Sequence, residues 1–151
     1  MELDFALFAD SAAVPPDGKV YVLGGGFSTI TLPQLPGRVT FAVVAGFRFG
    51  AADAGRTHQV ELRFVDDAAK LLLPPVNLQF QSAGDAPPEG REVTVSTVSF
   101  LSPMFGEAGA YHAEYWYGDR VLARVRMRVE EQQQQQAQAP PPPGVSGPRP
   151  N

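Results

Sequence analysis

The chain has 151 residues, a mass of 16.2 kDa and a formal net charge of −4, which is the size of one domain. It contains no cysteine, so disulfides, thiolate metal sites and a cysteine nucleophile are excluded. The negative charge argues against nucleic acid or an anionic membrane as a partner, and no apolar run reaches the roughly 18 residues that a membrane helix needs. We therefore expect a cytoplasmic protein.

Apolar and polar side chains alternate along most of the chain, which is the period-two pattern of β-strands. The clearest case is the segment 39–49, where Phe41, Val43 and Phe47 fall on one face. The same pattern predicts strands over residues 3–9, 19–23, 39–49, 59–64, 76–81, 92–100, 111–117 and 121–129.

Turn residues separate these strands, and one strand has an irregular pattern. In residues 92–100 the apolar phase slips between Val95 and Val98, which predicts a β-bulge near Ser96 and Thr97. Short strands with regular turn signals and no helical periodicity are typical of a two-sheet sandwich. We predict an all-β, antiparallel, Ig-like β-sandwich of about 7–9 strands over residues 1–130, with a closed barrel as the alternative.

The last residues, 131–151, differ in composition from the rest of the chain. They consist largely of glutamine and proline and offer little apolar surface to offset the entropy of ordering. We predict a disordered tail in which the proline run is extended. A solvated tail is favoured over a ligand for a proline-reading domain, because the nearest basic residue is the distant Arg149.

The last two strands meet near Gly118 and Asp119, and their register can be argued from the pattern. A two-residue loop would pair Tyr117 with Arg120 and place the tyrosines opposite the arginines on one face. Since register is constrained where one face is buried, we predict a three-residue loop with a glycine-assisted bulge. The core face then holds Tyr111, Tyr115, Ala123, Val125 and Met127, and the outward face holds His112, Glu114, Trp116, Leu122 and the arginines.

The outward face of these two strands is the strongest candidate for a binding surface. Its candidate residues are Trp116, Leu122, Arg124, Arg126 and Arg128. One interpretation is a solvated strand face with cross-strand ion pairs, for example between Glu114 and an arginine. The other is a surface for a partner protein, because tryptophan and arginine are enriched at interaction hot spots.

No motif indicates catalysis, a cofactor or a metal. Residues 24–26 are glycines without the lysine of a phosphate loop, and their interpretation is a strand end that permits positive φ or close packing. His58 and His112 have no metal-ligand spacing, and we expect His58 in solvent and His112 on the outward face. Asp66 and Asp67 are typical of a polar turn.

Three segments resemble a known family. They are the opening MELDFA, the stretch DGKVYVLGGGFSTI from Asp17 to Ile30, and the closing pair GAY (109–111) and LAR (122–124). They are similar to an uncharacterised family of small bacterial proteins that is defined by a domain of unknown function. The family has Asp-Gly in the last turn where this chain has Gly118-Asp119. The resemblance implies a small bacterial β-domain and supplies no activity, cofactor or site.

We therefore predict a non-enzymatic module that serves interaction or structure and needs no cofactor. Its partner is an unidentified protein, or a second copy joined through an unpaired edge strand. One alternative is a carbohydrate or small-molecule site where Trp116 and the tyrosines stack on the ligand. Another is a hydrolase in which His58 or His112 lies in a cleft beside a serine or a carboxylate.

Overall fold

The computed structural model describes residues 1–81 and 91–132, and this part of the chain is built from strands. The 12 strands are β1 (Glu2–Ala9), β2 (Ser11–Ala13), β3 (Tyr21–Leu23), β4 (Thr29–Leu32), β5 (Gly37–Arg38), β6 (Phe41–Phe49), β7 (Thr57–Asp66), β8 (Val76–Gln81), β9 (Val93–Leu101), β10 (Met104–Phe105), β11 (Gly109–Tyr117) and β12 (Arg120–Glu131). A single 3₁₀ turn, Ala51–Asp53, lies between β6 and β7. The predicted all-β class is confirmed.

Two large sheets enclose the core. One has the strand order β1-β6-β9, the other β4-β12-β11-β7-β8, and two small sheets pair β2 with β3 and β5 with β10. Every pairing is antiparallel except that of β4 with β12, which is parallel. The strand count exceeds the predicted 7–9 because four strands were not predicted, β2, β4, β5 and β10, each of only two to four residues. Alternation cannot be detected over so few positions.

The main core lies between the two large sheets and is rich in aromatic rings. Its largest buried side chains include Phe8 and Phe47 of the first sheet and Phe64 and Tyr115 of the second. Phe47 meets Tyr115 edge to face with ring centroids 5.6 Å apart, a geometry that aromatic pairs prefer. The alternate residues of β6 that the sequence assigns to one face, Phe41, Val43 and Phe47, therefore lie in the main core as predicted.

The first sheet is also apolar on its second face, where a smaller cluster lies. Ala42 and Val44 of β6 are buried there, and Ala12 and Val20 from the chain around β2 and β3 pack against them. On the same face the ring of Phe5 covers Gly46, leaving no space for a Cβ. β6 is therefore buried on both sides.

The bulge predicted near Ser96 and Thr97 is wrong. β9 pairs with β6 without interruption from the Phe41–Leu101 pair to the Phe49–Val93 pair. The apolar phase slips because β9 has apolar residues on both faces. Val98 packs on the second cluster, whereas Leu101 belongs to the main core.

The turn between β11 and β12 differs from the prediction, although the resulting register agrees with it. Tyr117 pairs with Arg120, so the loop has two residues and the predicted three-residue loop is wrong. Gly118 has a φ of 60°, as the first central residue of a type II′ turn requires. The phase is corrected one step later, because Trp116 pairs with Val121 but Tyr115 with Ala123. The bulge at Leu122 turns the arginines outward.

The end of the described chain extends slightly into the predicted tail. β12 continues to Glu131, and the Gln132 N–H donates to the Leu32 carbonyl at 2.7 Å. The rest of the predicted disordered tail lies outside the described residues. Within those residues, no helix is long and apolar enough to cross a membrane.

Candidate interaction face

Three neighbouring strands of the five-stranded sheet present one surface away from the core, which we call the outer face. Cross-strand pairing sets Glu114 of β11 between Arg63 of β7 and Arg124 of β12. The next row sets His112 beside Arg126. The outer face includes Glu61, Arg63, His112, Glu114, Trp116, Val121, Arg124, Arg126 and Arg128.

Glu114 is the central residue of the outer face and is only 3% exposed. The Trp116 Nε1–H donates to Glu114 Oε2 at 2.8 Å. Arg124 contacts the other carboxylate oxygen as an ion pair, although the angles do not make this contact a hydrogen bond. A buried carboxylate needs such partners, so Glu114 holds Trp116 and Arg124 in place.

Trp116 is half-buried, and its ring is covered on one side by an arginine. The guanidinium carbon of Arg63 lies 4.4 Å from the ring centroid, which is a cation–π geometry. Arg63 in turn forms an ion pair with Glu61. The indole therefore has a defined orientation, set by Glu114 through its N–H and by Arg63 through its face.

Arg124, Arg126 and Arg128 of β12 are exposed as predicted, but the charge of two of them is compensated. Arg124 pairs with Glu114, and Arg128 Nε lies 2.9 Å from Glu130 Oε1. Within residues 1–81 and 91–132, Arg126 has no carboxylate at ion-pair distance. Arg126 is thus an uncompensated cation between two arginines whose charges are neutralised.

His112 lies on the outer face as predicted, but it is only 8% exposed. Its Nε2 lies 3.3 Å from Asp67 Oδ1. Burial lowers the pKa of His112 below 6.5, and Arg124 and Arg126 lower it further, although Asp67 and Glu114 act in the opposite direction. The neutral imidazole is therefore favoured beneath the arginines.

Leu122, predicted on the outer face, is turned toward the core. It is partly buried and packs against the main cluster, because the bulge adds one residue between the partners of Trp116 and Tyr115. Val121, opposite Trp116, takes its place on the surface and is exposed. The apolar component of the candidate face is therefore Trp116 with Val121.

Comparison with known proteins identifies the family. Residues 4–130 match the model of a family described as "Family of unknown function (DUF6941)". The chain belongs to this family. The predicted membership of an uncharacterised domain family is thereby confirmed.

Other comparisons add no functional argument for the DUF6941 domain. No curated protein matches the sequence. One similar solved structure is the superoxide reductase (neelaredoxin) from Ignicoccus hospitalis, with 15% sequence identity, coverage of 84% of this chain and 83% of that chain, and a TM-score of 0.32. A likeness at this level indicates neither a shared site nor a shared activity.

A second polar cluster of the DUF6941 domain lies at the start of β7, beside the 3₁₀ turn, and was not predicted. His58 is buried, so its expected position in solvent is wrong. Its Nε2 lies 3.2 Å from Asp53 Oδ1, without hydrogen-bond angles, and its Nδ1 lies 3.1 Å from the Tyr117 hydroxyl. The amino group of Met1 donates to both Asp53 oxygens at 2.8 and 2.9 Å.

The Asp53 carboxylate is stabilised in its charged form. Burial alone would raise its pKa, but the Met1 ammonium and the Gly50 N–H outweigh burial, so the pKa lies below its ordinary 3.8. Asp53 therefore joins the start of β1, the 3₁₀ turn and β7. The cluster connects parts of the chain that are far apart in sequence, which is why no local pattern predicts it.

The remaining sequence predictions concern turns and metal ligands. Asp66 Oδ1 accepts the N–H groups of Ala68 and Lys70, each at 2.9 Å, so the polar-turn interpretation is confirmed. Gly24 has a φ of 62° and packs against Asp10, as expected of a strand-end glycine. Across the described ranges, no group of three or more His, Asp or Glu side chains could hold a metal ion.

Proposed function

We propose that the DUF6941 domain is a non-enzymatic module that binds a partner protein through the outer face. The partner contributes an extended segment that brings a carboxylate to Arg126 and an apolar side chain to Trp116 and Val121. The observation that carries this proposal is the exposed Arg126, which lies between two arginines that already have carboxylate partners.

The orientation of the tryptophan supports a binding role. Trp116 is held by its hydrogen bond to Glu114 and by the stacked Arg63. Side chains that are ordered before binding lose little conformational entropy when a partner arrives. Tryptophan and arginine in such a setting are the residues that most often dominate binding energy.

The charge pattern supports a carboxylate as the group recognised. Arginine binds carboxylates with two parallel hydrogen bonds. No carboxylate among the described residues lies at ion-pair distance from Arg126, so the N–H groups of its guanidinium are available to a carboxylate of the partner. A cationic ligand would instead meet four arginines on the outer face, among them Arg63 and Arg126. An acidic segment is therefore the better match.

Carbohydrate binding has less support than a protein partner. That alternative needs an exposed row of aromatic rings, but Tyr111 and Tyr115 are buried in the core. Trp116 and Tyr117 reach the surface from successive positions of β11, so they point to opposite faces of the sheet. The outer face therefore offers a ligand a single aromatic ring, that of Trp116.

The hydrolase alternative has one observation in its favour: each histidine contacts a carboxylate. Among the described residues, however, neither ring contacts a serine hydroxyl, and His58 is bonded to Tyr117. We expect His58→Gln to leave any trace ester hydrolysis by the purified protein unchanged. Hydrolysis above background that this substitution abolishes would contradict the non-enzymatic proposal.

The binding proposal can be tested with the chain's own fluorophore, because Trp116 is the only tryptophan. A library of acidic peptides that carry Asp or Glu beside a large apolar residue is titrated while Trp116 emission is recorded. We expect a peptide that shifts the emission, with binding weakened at least about tenfold by Arg126→Glu. The matched control is Arg56→Glu, because Arg56 is also exposed but lies before β7.

Two results would contradict the proposal. One is equal binding by the wild type and Arg126→Glu, and the other is equal weakening by Arg126→Glu and Arg56→Glu, which would indicate general charge attraction only. The cytoplasmic location expected from the sequence is independent of this test and stays a prediction.

A further inference from the structure

His112 lies beside the arginine on which the proposed function depends. It is buried, and it pairs with Arg126 across β11 and β12. Side chains that face each other in an antiparallel pair have Cβ atoms about 4.5–5.5 Å apart. A charge on the imidazole therefore acts at short range on Arg126 and on any group that Arg126 binds.

The charged groups that face His112 come from three parts of the sheet. β12 contributes Arg124 and Arg126, β11 contributes Glu114, and the turn after β7 contributes Asp67, whose Oδ1 lies 3.3 Å from the imidazole Nε2. The residue of β7 that pairs with His112 is a valine. Burial is the main cause that lowers the pKa of His112 below 6.5, and the two arginines lower it further against the opposing effect of the two carboxylates. The neutral ring is therefore favoured while the outer face is free.

An anion bound at Arg126 changes this balance. In the free domain, a proton on the ring adds a second cation beside Arg126, which has no carboxylate at ion-pair distance among the described residues. A partner carboxylate at Arg126 brings a negative charge close to the ring and favours its charged form. By linkage, protonation of His112 and binding of the carboxylate strengthen each other by the same factor.

We propose that His112 couples recognition of the acidic partner segment to proton uptake, so that the outer face binds this segment more tightly in mild acid. The inference rests on the proposed function, because it concerns the regulation of the same face. The proton comes from solvent and is bound at the imidazole nitrogen that the neutral ring leaves free. The charged ring has a partner inside the domain, since its Nε2–H can donate to Asp67 Oδ1.

The direction of the pH dependence follows from the two states of His112. The partner carboxylate raises the pKa of His112 above its value in the free domain, which lies below 6.5. Affinity is therefore constant at pH values above the pKa of the bound form, rises as the pH falls through it, and levels off below the pKa of the free form. Carboxylates of the partner titrate near about 4, so they stay charged across this window.

A first experiment measures the coupling without any partner. Arg126→Glu places a carboxylate beside His112 within the chain itself, and the imidazole ring protons are followed by nuclear magnetic resonance as the pH is varied. We expect a higher pKa of His112 than in the wild type, and a smaller increase in Arg126→Gln, which only removes the cation. The ring signals of His58, the one other histidine, are the internal reference for both variants. The matched control is Arg56→Glu, which makes the same charge change at an exposed position before β7.

A second experiment measures the coupling with a ligand. The probe is the acidic peptide that gives the largest change in Trp116 emission, acetylated at its N-terminus and free of histidine, so that its carboxylates are its only groups near this range. The Kd of the wild type should be at least about threefold lower at a pH of about 5.5 than at about 7.5. His112→Gln cannot take up the proton, so its Kd should be nearly equal at the two pH values. Circular dichroism at both pH values confirms that each protein keeps its strands.

The possible results separate this inference from the proposed function. The inference is wrong if His112 has the same pKa in the wild type and in Arg126→Glu, or if His112→Gln keeps the whole pH dependence of binding. Equal affinity of the wild type at both pH values would reject the coupling and leave the proposed function in place. Absence of binding at both pH values would reject the two together.

Discussion

Glu114 and Trp116 occupy successive outward positions of β11, and their contact organises the outer face. The two side chains form a hydrogen bond that both require, because the buried carboxylate needs a donor and the indole N–H needs an acceptor. Arg63 and Arg124 then neutralise and cover the pair. The buried carboxylate of Glu114 therefore positions the arginines beside it and the indole of Trp116.

Removal of the buried acid should destabilise the fold. In Glu114→Ala the Trp116 N–H loses its acceptor and Arg124 loses its counter-charge, so we expect a loss of about 1–3 kcal/mol in the free energy of unfolding. Urea denaturation measures this value. The control is Glu130→Ala, which removes an exposed partner of Arg128 and should cost less than about 0.5 kcal/mol. Equal losses in the two variants would contradict the structural role of Glu114.

His112 should make stability depend on pH. Its pKa is lower in the folded protein than the ordinary 6.5, with burial as the main cause, so the unfolded chain binds more protons in the window between the two values. Stability is then complete above pH 6.5 and falls as the pH drops through that window. The Asp53 carboxyl acts in a lower window, below 3.8.

Urea denaturation at several pH values between about 5 and 7.5 tests this assignment. In His112→Gln the fall in stability below pH 6.5 should become smaller. An unchanged pH dependence in this variant would place the titrating group elsewhere.

At the residue scale, the sequence predicted most of the side chains that point outward, Leu122 excepted, but not how they meet. Trp116, Glu114 and the arginines share a face as the alternation indicates. Arg63 was missed because its contact with Trp116 depends on the pairing of β7 with β11, and pairing between distant strands leaves no local pattern. The burial of His58 has the same cause, since Asp53 and Tyr117 approach it from other elements.

Among the elements, the hairpin of β11 and β12 carries most of the candidate face. Its short loop and its bulge act together, because the loop alone would turn the arginines toward the core. The alternation of the strands predicted that the phase must change, and the structure places that change at Leu122 rather than in the loop. Local composition does not distinguish these two solutions, since both give the same register for Tyr115.

The glycine in this loop should be required for its conformation. Gly118 has a φ of 60° with open space around a Cβ, so Gly118→Ala tests backbone strain without a clash. We expect a loss of about 1 kcal/mol in stability. Gly109→Ala is the control, because Gly109 also has open space but no positive φ. A loss of stability in the control as large as that in Gly118→Ala would exclude strain as the cause.

For β9, the sequence predicted an irregularity that the strand does not have. Its broken alternation predicted a bulge, yet its pairing with β6 is regular. Apolar residues occur on both faces of β9 because the first sheet packs on two clusters, and Val98 belongs to the second. A pattern that fits one buried face cannot represent a strand with apolar contacts on two sides.

At the scale of the whole molecule, the two large sheets present different surfaces on the sides that face away from the main core. The five-stranded sheet presents charged and aromatic groups on the outer face, and the first sheet is covered in part by the ribbon of β2 and β3. Composition and periodicity predicted the two-sheet core. They did not predict the parallel edge formed by β4, since a parallel contact between residues 29 and 128 carries no turn signal.

Nuclear magnetic resonance of the ¹⁵N-labelled protein, titrated with the acidic peptide selected by Trp116 fluorescence, tests the binding claim most directly. The account predicts that the shifts are confined to the outer face, with the Trp116 indole N–H and the backbone of Arg126 and Val121 changing most. Shifts located at β3, or at the loop of Gly118 and Asp119, with Trp116 and Arg126 unmoved, would contradict it.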